Sequence, residues 1–241
     1  MLFRSIKYVG QEQIYRDYKI MITWSYSSLN LFKQCPRKYY RLRVSKDIKE
    51  EHKEHLVYGN EVHKAAEEYG KNGKEIPKKY SYIKPYLDTL LSIDGGFLFE
   101  YKLGLTADRK PCDFFAPDVW WRGVADFMCI RNGGDSVALV DYKTGKSSRY
   151  ADTDQLEILA LGIFKHFPEV NVVDAGLLFV VAGEFLEITI QREHEDIFWN
   201  KWIGPTNRLN AAHESGVWNA SPNFTCRKFC PVLDCEHNGR R

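Results

Sequence analysis

Apolar positions recur at two different spacings along the chain, and the switch between them divides it. Up to residue 93 the spacing is helical. In "TWSYSSLNLFKQCPRKYYRL" Leu29 and Phe32, with Leu31 beside them, supply one apolar side behind Thr23 or Ser25 as cap, and Pro36 predicts a kink or a new helix start. A second helix is predicted over 57–72, stopped by a Gly/Asn segment, and a third over 81–93, closed by Gly95-Gly96. From residue 97 the period drops to two. Residues 97–105, 118–130 and 136–144 read as strands, and Asn132-Gly133-Gly134 predicts a hairpin between the last two. "ADTDQLEILALGIFKHF" returns to helix, with Leu156, Leu159, Ala160 and Ile163 at helical spacing. Strands over 172–182 and 184–191 and a Trp-rich helix over 194–214 follow. Helices, three strands, a helix and two more strands predict an α/β domain with a mixed central sheet, not a Rossmann alternation.

The 241 residues suffice for one large α/β domain or two small ones, and 44% hydrophobic with 27% charged residues is the composition of a globular protein. Met21 opens "MITWSYSSLN" like a domain start, so residues 1–20 are expected to be an N-terminal extension and 21–241 a single domain. No run approaches the about 20 apolar residues that cross a bilayer, and no secretory apolar segment opens the chain. A cytoplasmic protein with no membrane partner is expected. The net charge of +2 is too small to argue for nucleic acid, but its distribution is uneven. "KQCPRKYYRLRVSK" carries Arg37, Lys38 and Arg41 among its six basic residues, two tyrosines and no acid. Such a run can offer charge to phosphates and rings to bases; a solvated helix face is the competing reading.

The stretch "ALVDYKTGK" ends a core-like strand in Asp141, Tyr142 and Lys143. Side chains at i and i+2 share a face, so Asp141 and Lys143 stand together. Taken alone they are a surface ion pair. Asp126, in the partner strand of the expected hairpin, changes that reading. Two carboxylates brought close repel unless a cation lies between them, and a hard divalent ion is the simplest candidate. Lys143 could then polarise an attacking water or neutralise developing charge. His63, four residues after Gly59, offers a nitrogen from the second helix.

Six cysteines occur. In a reducing compartment clustered cysteines favour a metal over disulfides, and "CRKFCPVLDC" packs Cys226, Cys230 and Cys235 into ten residues. Cys112 and Cys129, in or beside strand-like sequence, read as buried core thiols.

Gly59-x-x-x-His63, Gly123-x-x-Asp126, Asp141-x-Lys143 and Gln155, in that order, resemble the motifs of the PD-(D/E)XK nucleases of the RecB type. "SSLNLFKQCPRKYY" is similar to that family's opening helix, and the resemblance covers about residues 21–237. It implies a restriction-endonuclease-like core with a mixed central sheet flanked by helices. It also implies Mg²⁺ or Mn²⁺ held by His63, Asp126, Asp141 and the Tyr142 carbonyl, with Lys143 catalytic and Gln155 positioning DNA or the active-site water. Glu100 is a candidate for a second metal, against a plain core-edge acid. Two positions depart from the pattern: Asp141 stands where many members have Glu, and Leu159 where the Gln helix often carries Tyr. The cysteines resemble those of the iron–sulfur members, the AddB-type helicase-nucleases and the CRISPR-associated adaptation nucleases. That resemblance implies a [4Fe–4S] cluster on Cys35, Cys226, Cys230 and Cys235 joining the two ends of the domain. The spacing here is C-x3-C-x4-C rather than C-x2-C-x5-C. Zinc on the same thiolates, with His237 able to replace one, is the alternative.

The expected function is a metal-dependent deoxyribonuclease, an exonuclease on DNA ends or single strands in recombination, repair or phage DNA processing, in a prokaryotic or phage-infected cell. A CRISPR spacer-acquisition nuclease, a non-cleaving DNA-binding module with a structural cysteine site, and another phosphoester hydrolase are the alternatives.

Overall fold

The computed structural model describes residues 22–49, 54–149 and 151–240; the expected extension over 1–20 lies outside them. A six-stranded mixed sheet forms the centre, in the order β2-β1-β3-β4-β5-β6. Its strands are β1 (Gly95–Leu105), β2 (Pro111–Cys112), β3 (Trp121–Arg131), β4 (Ser136–Lys143), β5 (Val172–Phe179) and β6 (Glu184–Gln191). Only β4 and β5 run parallel. That pair needs a crossover, and α5 (Asp154–His166) supplies it. Helices α1 (Tyr26–Gln34), α5 and α6 (Glu195–Ser215) cover one face. Helices α3 (Glu54–Asn72) and α4 (Lys84–Leu91) cover the other. With both faces covered, β4 is buried along nearly its whole length, which is why it reads as a continuous apolar run up to Asp141.

The opening helix breaks as its proline dictates. Ser25 and Ser28 cap the start of α1 reciprocally, each hydroxyl taking the other's backbone N–H. Pro36 disfavours helical backbone at the residue before it, so Cys35 is extended and α2 (Pro36–Tyr39) starts afresh with proline in its first position. A single wide turn over Tyr40–Val44 continues it. The break leaves Cys35 between two helices, facing the C-terminal segment: Ser221 N–H lies 3.4 Å from its sulfur, and Asn223 Nδ2 donates to the Gln34 carbonyl at 3.2 Å. The two ends of the described chain meet there.

The expected third helix is present as α4, entered through a 3₁₀ segment over Lys78–Ile83. The two-residue β2 was not legible. It also overturns the reading of Cys112 as a core thiol: Cys112 sits half-buried in this edge strand, whereas Cys129 is fully buried in β3 as expected.

Candidate active site

The sheet forks where the candidate residues stand. β3 pairs with β4 only from Phe127 to Ile130. Upstream of Phe127, β4 stays with β5 out to Lys143, while β3 stays with β1 and takes Trp24 as its other neighbour, through Trp24 N–H to the Trp120 carbonyl and Arg122 N–H to the Trp24 carbonyl, both 2.9 Å. Gly123 is a packing requirement of this fork. A Cβ there would lie 2.6 Å from the Trp121 ring and 2.8 Å from Leu159. Where the β3–β4 ladder would have continued, the Tyr142 N–H meets the Asp126 carboxylate at 2.8 Å.

A second irregularity aims the acids. Phe99 and Phe127 face the α3 side of the sheet, but their neighbours two residues on, Tyr101 and Ala125, face the α5 side. Both strands therefore invert at the opposed pair Glu100 and Asp126, while the register on either side is unchanged. Glu100 takes up the inversion at φ 47°, a conformation costly for a residue with a side chain.

Helix α3 brings His63 to this point, with Gly59 allowing its turn to approach Thr144 at the end of β4. His63 Nε2 donates to the Tyr142 carbonyl at 3.0 Å, and Nδ1 lies 3.3 Å from Asp126 Oδ2 and 3.9 Å from Glu100 Oε1. Both ring nitrogens face acceptors, which favours the doubly protonated ring. Burial works against that charge, but Asp126, Asp141 and Glu100 outweigh it and push the imidazole up to about 9. Burial, then the Asp126 charge, pushes Glu100 up to about 7. Asp141, 2% exposed, is raised by the same two causes.

Asp141 is not the surface acid its tripeptide suggested. Its Oδ1 accepts from Gln155 Nε2 at 2.5 Å and its Oδ2 lies 2.6 Å from Lys143 Nζ. Lys143 in turn donates to Gln155 Oε1 at 2.8 Å, closing a three-membered network. Asp154 and Gln155 open α5 within the first turn, which sets Gln155 at the floor of the cleft.

The donor atoms that converge within 4.8 Å of one another are those of His63, Glu100 and Asp126. Glu100, expected as a marginal second-metal residue, thus stands with the first group. Asp141 turns to Lys143 and Gln155, and the Tyr142 carbonyl accepts from His63. Two carboxylates and an imidazole form a donor set suited to a divalent cation. All these residues except Tyr142 line one cleft of about 820 Å³. Arg122 and Tyr26 line it too and were missed; Arg122 was legible as the residue four before Asp126 on the same strand.

Cys35, Cys226, Cys230 and Cys235 line a separate cavity with His237. Cys226 accepts from Asn223 N–H at 3.4 Å, and Cys235 accepts from Arg37 at 3.6 Å. The basic run meets acids there: Arg37 pairs with Glu236, and Arg41 with Asp234 at 2.8 Å and Asp47 at 2.6 Å. Lys38 lines the cysteine cavity.

The family model of the PD-(D/E)XK nuclease superfamily matches residues 23–92, from α1 through α4 and including His63. A solved structure from Eubacterium rectale, described as a "Putative exonuclease", aligns with a TM-score of 0.52 at 10% identity, over 93% of this chain and 92% of that one. Over residues 23–92 the chain is similar to the PD-(D/E)XK nuclease superfamily. At 10% identity the solved structure speaks for the fold alone. The structure of SSO0001 aligns at 14% identity over 94% of this chain and 92% of that one, with a TM-score of 0.46. No curated protein matches the sequence. Among the described residues, no helix is long and apolar enough to cross a membrane.

Proposed function

We propose that the protein is a metal-dependent deoxyribonuclease that acts from DNA ends or on single strands. The observation that carries this reading is the joining of two groups at one sheet fork. His63, Glu100 and Asp126 offer a cation site, and beside them Asp141 and Gln155 hold an ammonium fixed. Mg²⁺ or Mn²⁺ would be held by His63, Asp126 and Glu100, with Asp141 and the Tyr142 carbonyl adjacent. Bound there, it would polarise the phosphate and acidify a water. Lys143, anchored by Asp141 and Gln155, donates a hydrogen bond to the attacking water or to a phosphate oxygen gaining charge. Gln155 keeps both partners in register. For His63 to offer a nitrogen it must give up a proton and one of its two acceptors.

End or single-strand specificity is supported by depth. Asp126 and Asp141 are 8% and 2% exposed, so the reacting phosphate has to reach the floor of the cleft. A free end or an unpaired strand bends in more readily than the middle of a stiff duplex. Phosphate contact by Arg37, Lys38 and Arg41 remains part of the proposal, although Arg37 and Arg41 share their charge with C-terminal acids.

For the cysteine cavity we propose a [4Fe–4S] cluster. Among the described residues no three of these sulfurs lie within 4.8 Å of one another, whereas four thiolates on one zinc stand about 3.8 Å apart. N–H donors to three of the four sulfurs suit a cluster with delocalised negative charge. Purification without oxygen tests it: brown protein with about four irons per chain is expected, and colourless protein carrying one zinc would refute it. Recombination, repair or phage DNA processing is the setting we propose.

A further inference from the structure

Two cations and two aromatic rings are packed together at the mouth of the cleft, and the chemistry above uses none of them. Beyond the inversion, Tyr101, Leu103 and Leu105 of β1 and Trp121 and Ala125 of β3 turn into the core. Lys102, Val124 and Arg122 are therefore left on the opposite face. Gly104 stands opposite Arg122 and Lys102 opposite Val124, which makes Lys102 and Arg122 diagonal neighbours. Gly104 also lets the next segment fold down closely. A Cβ there would lie 2.8 Å from the Cys112 carbonyl and 2.9 Å from that of Asp113.

That close approach brings Phe114 and Phe115 over the two cations. Lys102 Nζ lies 5.7 and 5.3 Å from their ring centres, and the Arg122 guanidinium 5.4 and 5.5 Å. The rings meet edge to face at 5.0 Å. Phe115 is 72% exposed. Arg122 Nε is buried with no hydrogen-bond partner, and among the described residues neither cation has a carboxylate partner. Phe114 and Arg122 line the same cleft as Asp126 and Lys143. At a rise of about 3.3 Å per residue, Lys102 is about 7 Å along β1 from Glu100, and Arg122 about 13 Å along β3 from Asp126.

An exposed ring held by cations that lack acid partners matches one kind of ligand well. An unpaired base can stack on the ring while its phosphate takes the charge. A duplex keeps its bases stacked on each other and would offer this platform only its backbone. We propose that Phe115, backed by Phe114 and held by Lys102 and Arg122, is a stacking platform for an unpaired base of single-stranded DNA entering the cleft. The proposal rests on the nuclease reading for its polymer and gives that reading its substrate class.

Binding by the full chain in EDTA tests it without requiring cleavage. The probes are a dye-labelled oligothymidine, an abasic strand of equal length and a blunt hairpin duplex, read by fluorescence anisotropy. Phe115→Ala should weaken oligothymidine binding roughly ten-fold and leave the abasic strand and the duplex unchanged. Phe115→Trp should keep the oligothymidine affinity. Arg122→Ala should weaken normal and abasic strands alike. No loss with Phe115→Ala, or an equal loss on the abasic strand or duplex, would overturn the platform. Cleavage in Mg²⁺ separates the two proposals. A Phe115 effect without any cleavage would leave the platform standing and sink the nuclease, and cleavage without a Phe115 effect would do the reverse.

Discussion

At the sheet fork, charged groups stand on a wall of fully buried side chains: Trp121, Ala125, Phe127 and Leu139 have no exposed surface. At the cysteine cavity the chain after Gly216 has one short 3₁₀ turn, Phe224–Arg227, and leaves Phe224, Phe229 and Leu233 more than half exposed. Polar contacts hold that segment. Asn238 Nδ2 donates to the Cys230 and Val232 carbonyls at 3.1 and 2.8 Å, Gly239 N–H to the Cys226 carbonyl at 3.0 Å, and Arg41 reaches Asp234. The fork owes its shape to the core and spends stability on crowded acids. The cavity region has little core, and segments of that kind depend on a metal or other staple. A change at the fork should therefore cost chemistry and spare the fold, while a change at the cysteines should cost the fold and spare the chemistry.

The largest effect tests the first half of that contrast. Lys143→Ala or Asp141→Ala should lower cleavage by roughly 10³-fold or more, since each removes the fixed ammonium or its anchor. The midpoint of thermal unfolding should stay within a few degrees of the parent. A collapse in melting temperature would show that the fork carries the fold.

Cysteine replacement tests the other half. Cys35→Ser and Cys230→Ser should each lower the melting temperature by about 5–10 °C, as expected for several kcal/mol in a chain of this size. Cleavage measured well below that temperature should persist. Cys112→Ser, at the sheet edge, should leave both readouts alone. Loss of cleavage at an unchanged melting temperature would place the cysteines in the chemistry.

Protonation sharpens the contrast further. His63 is raised from 6.5 to about 9, so its stabilising contact with the acids is complete below pH 6.5 and is lost as pH climbs through about 9. Glu100 is raised from 4.5 to about 7, so its ionisation penalises the fold increasingly between those values. Both signs agree: without added cation, stability falls through Glu100 between about pH 4.5 and 7 and through His63 between about pH 6.5 and 9. The rise in melting temperature caused by Mg²⁺ should therefore grow from pH 6 to pH 9, as the ligands shed their protons. A constant increment would mean the ion binds elsewhere.

The smallest effect concerns the ion pairs of the cysteine region. Arg37→Ala and Arg41→Ala should each cost about 0–1 kcal/mol, a shift of no more than about 4 °C. A larger loss would show these pairs, rather than the thiolates, holding the segment.

Much of this was legible in the sequence because it is local. β6 follows directly from its alternation, and the shared face of Asp141 and Lys143 follows from strand geometry. The break at Pro36 follows from the extended backbone that a proline imposes on the residue before it. What stayed hidden depends on contacts between distant segments. Besides the local pair of Arg41 with Asp47, the acids that meet Arg37 and Arg41 lie 199 and 193 residues downstream, out of reach of any local pattern. The inversion at Glu100 moves it into the donor group through a backbone conformation that no propensity favours. β2 is two residues long, too short for a period.

The fork is proposed to cleave DNA with a bound divalent ion. The direct measurement is incubation of purified protein with end-labelled single- and double-stranded DNA in Mg²⁺, Mn²⁺ or EDTA, with Lys143→Ala alongside. Single strands should shorten progressively from their ends in either metal, and not at all in EDTA or with the variant. Cleavage that persists in EDTA, or that Lys143→Ala performs at the parent rate, would contradict the proposal.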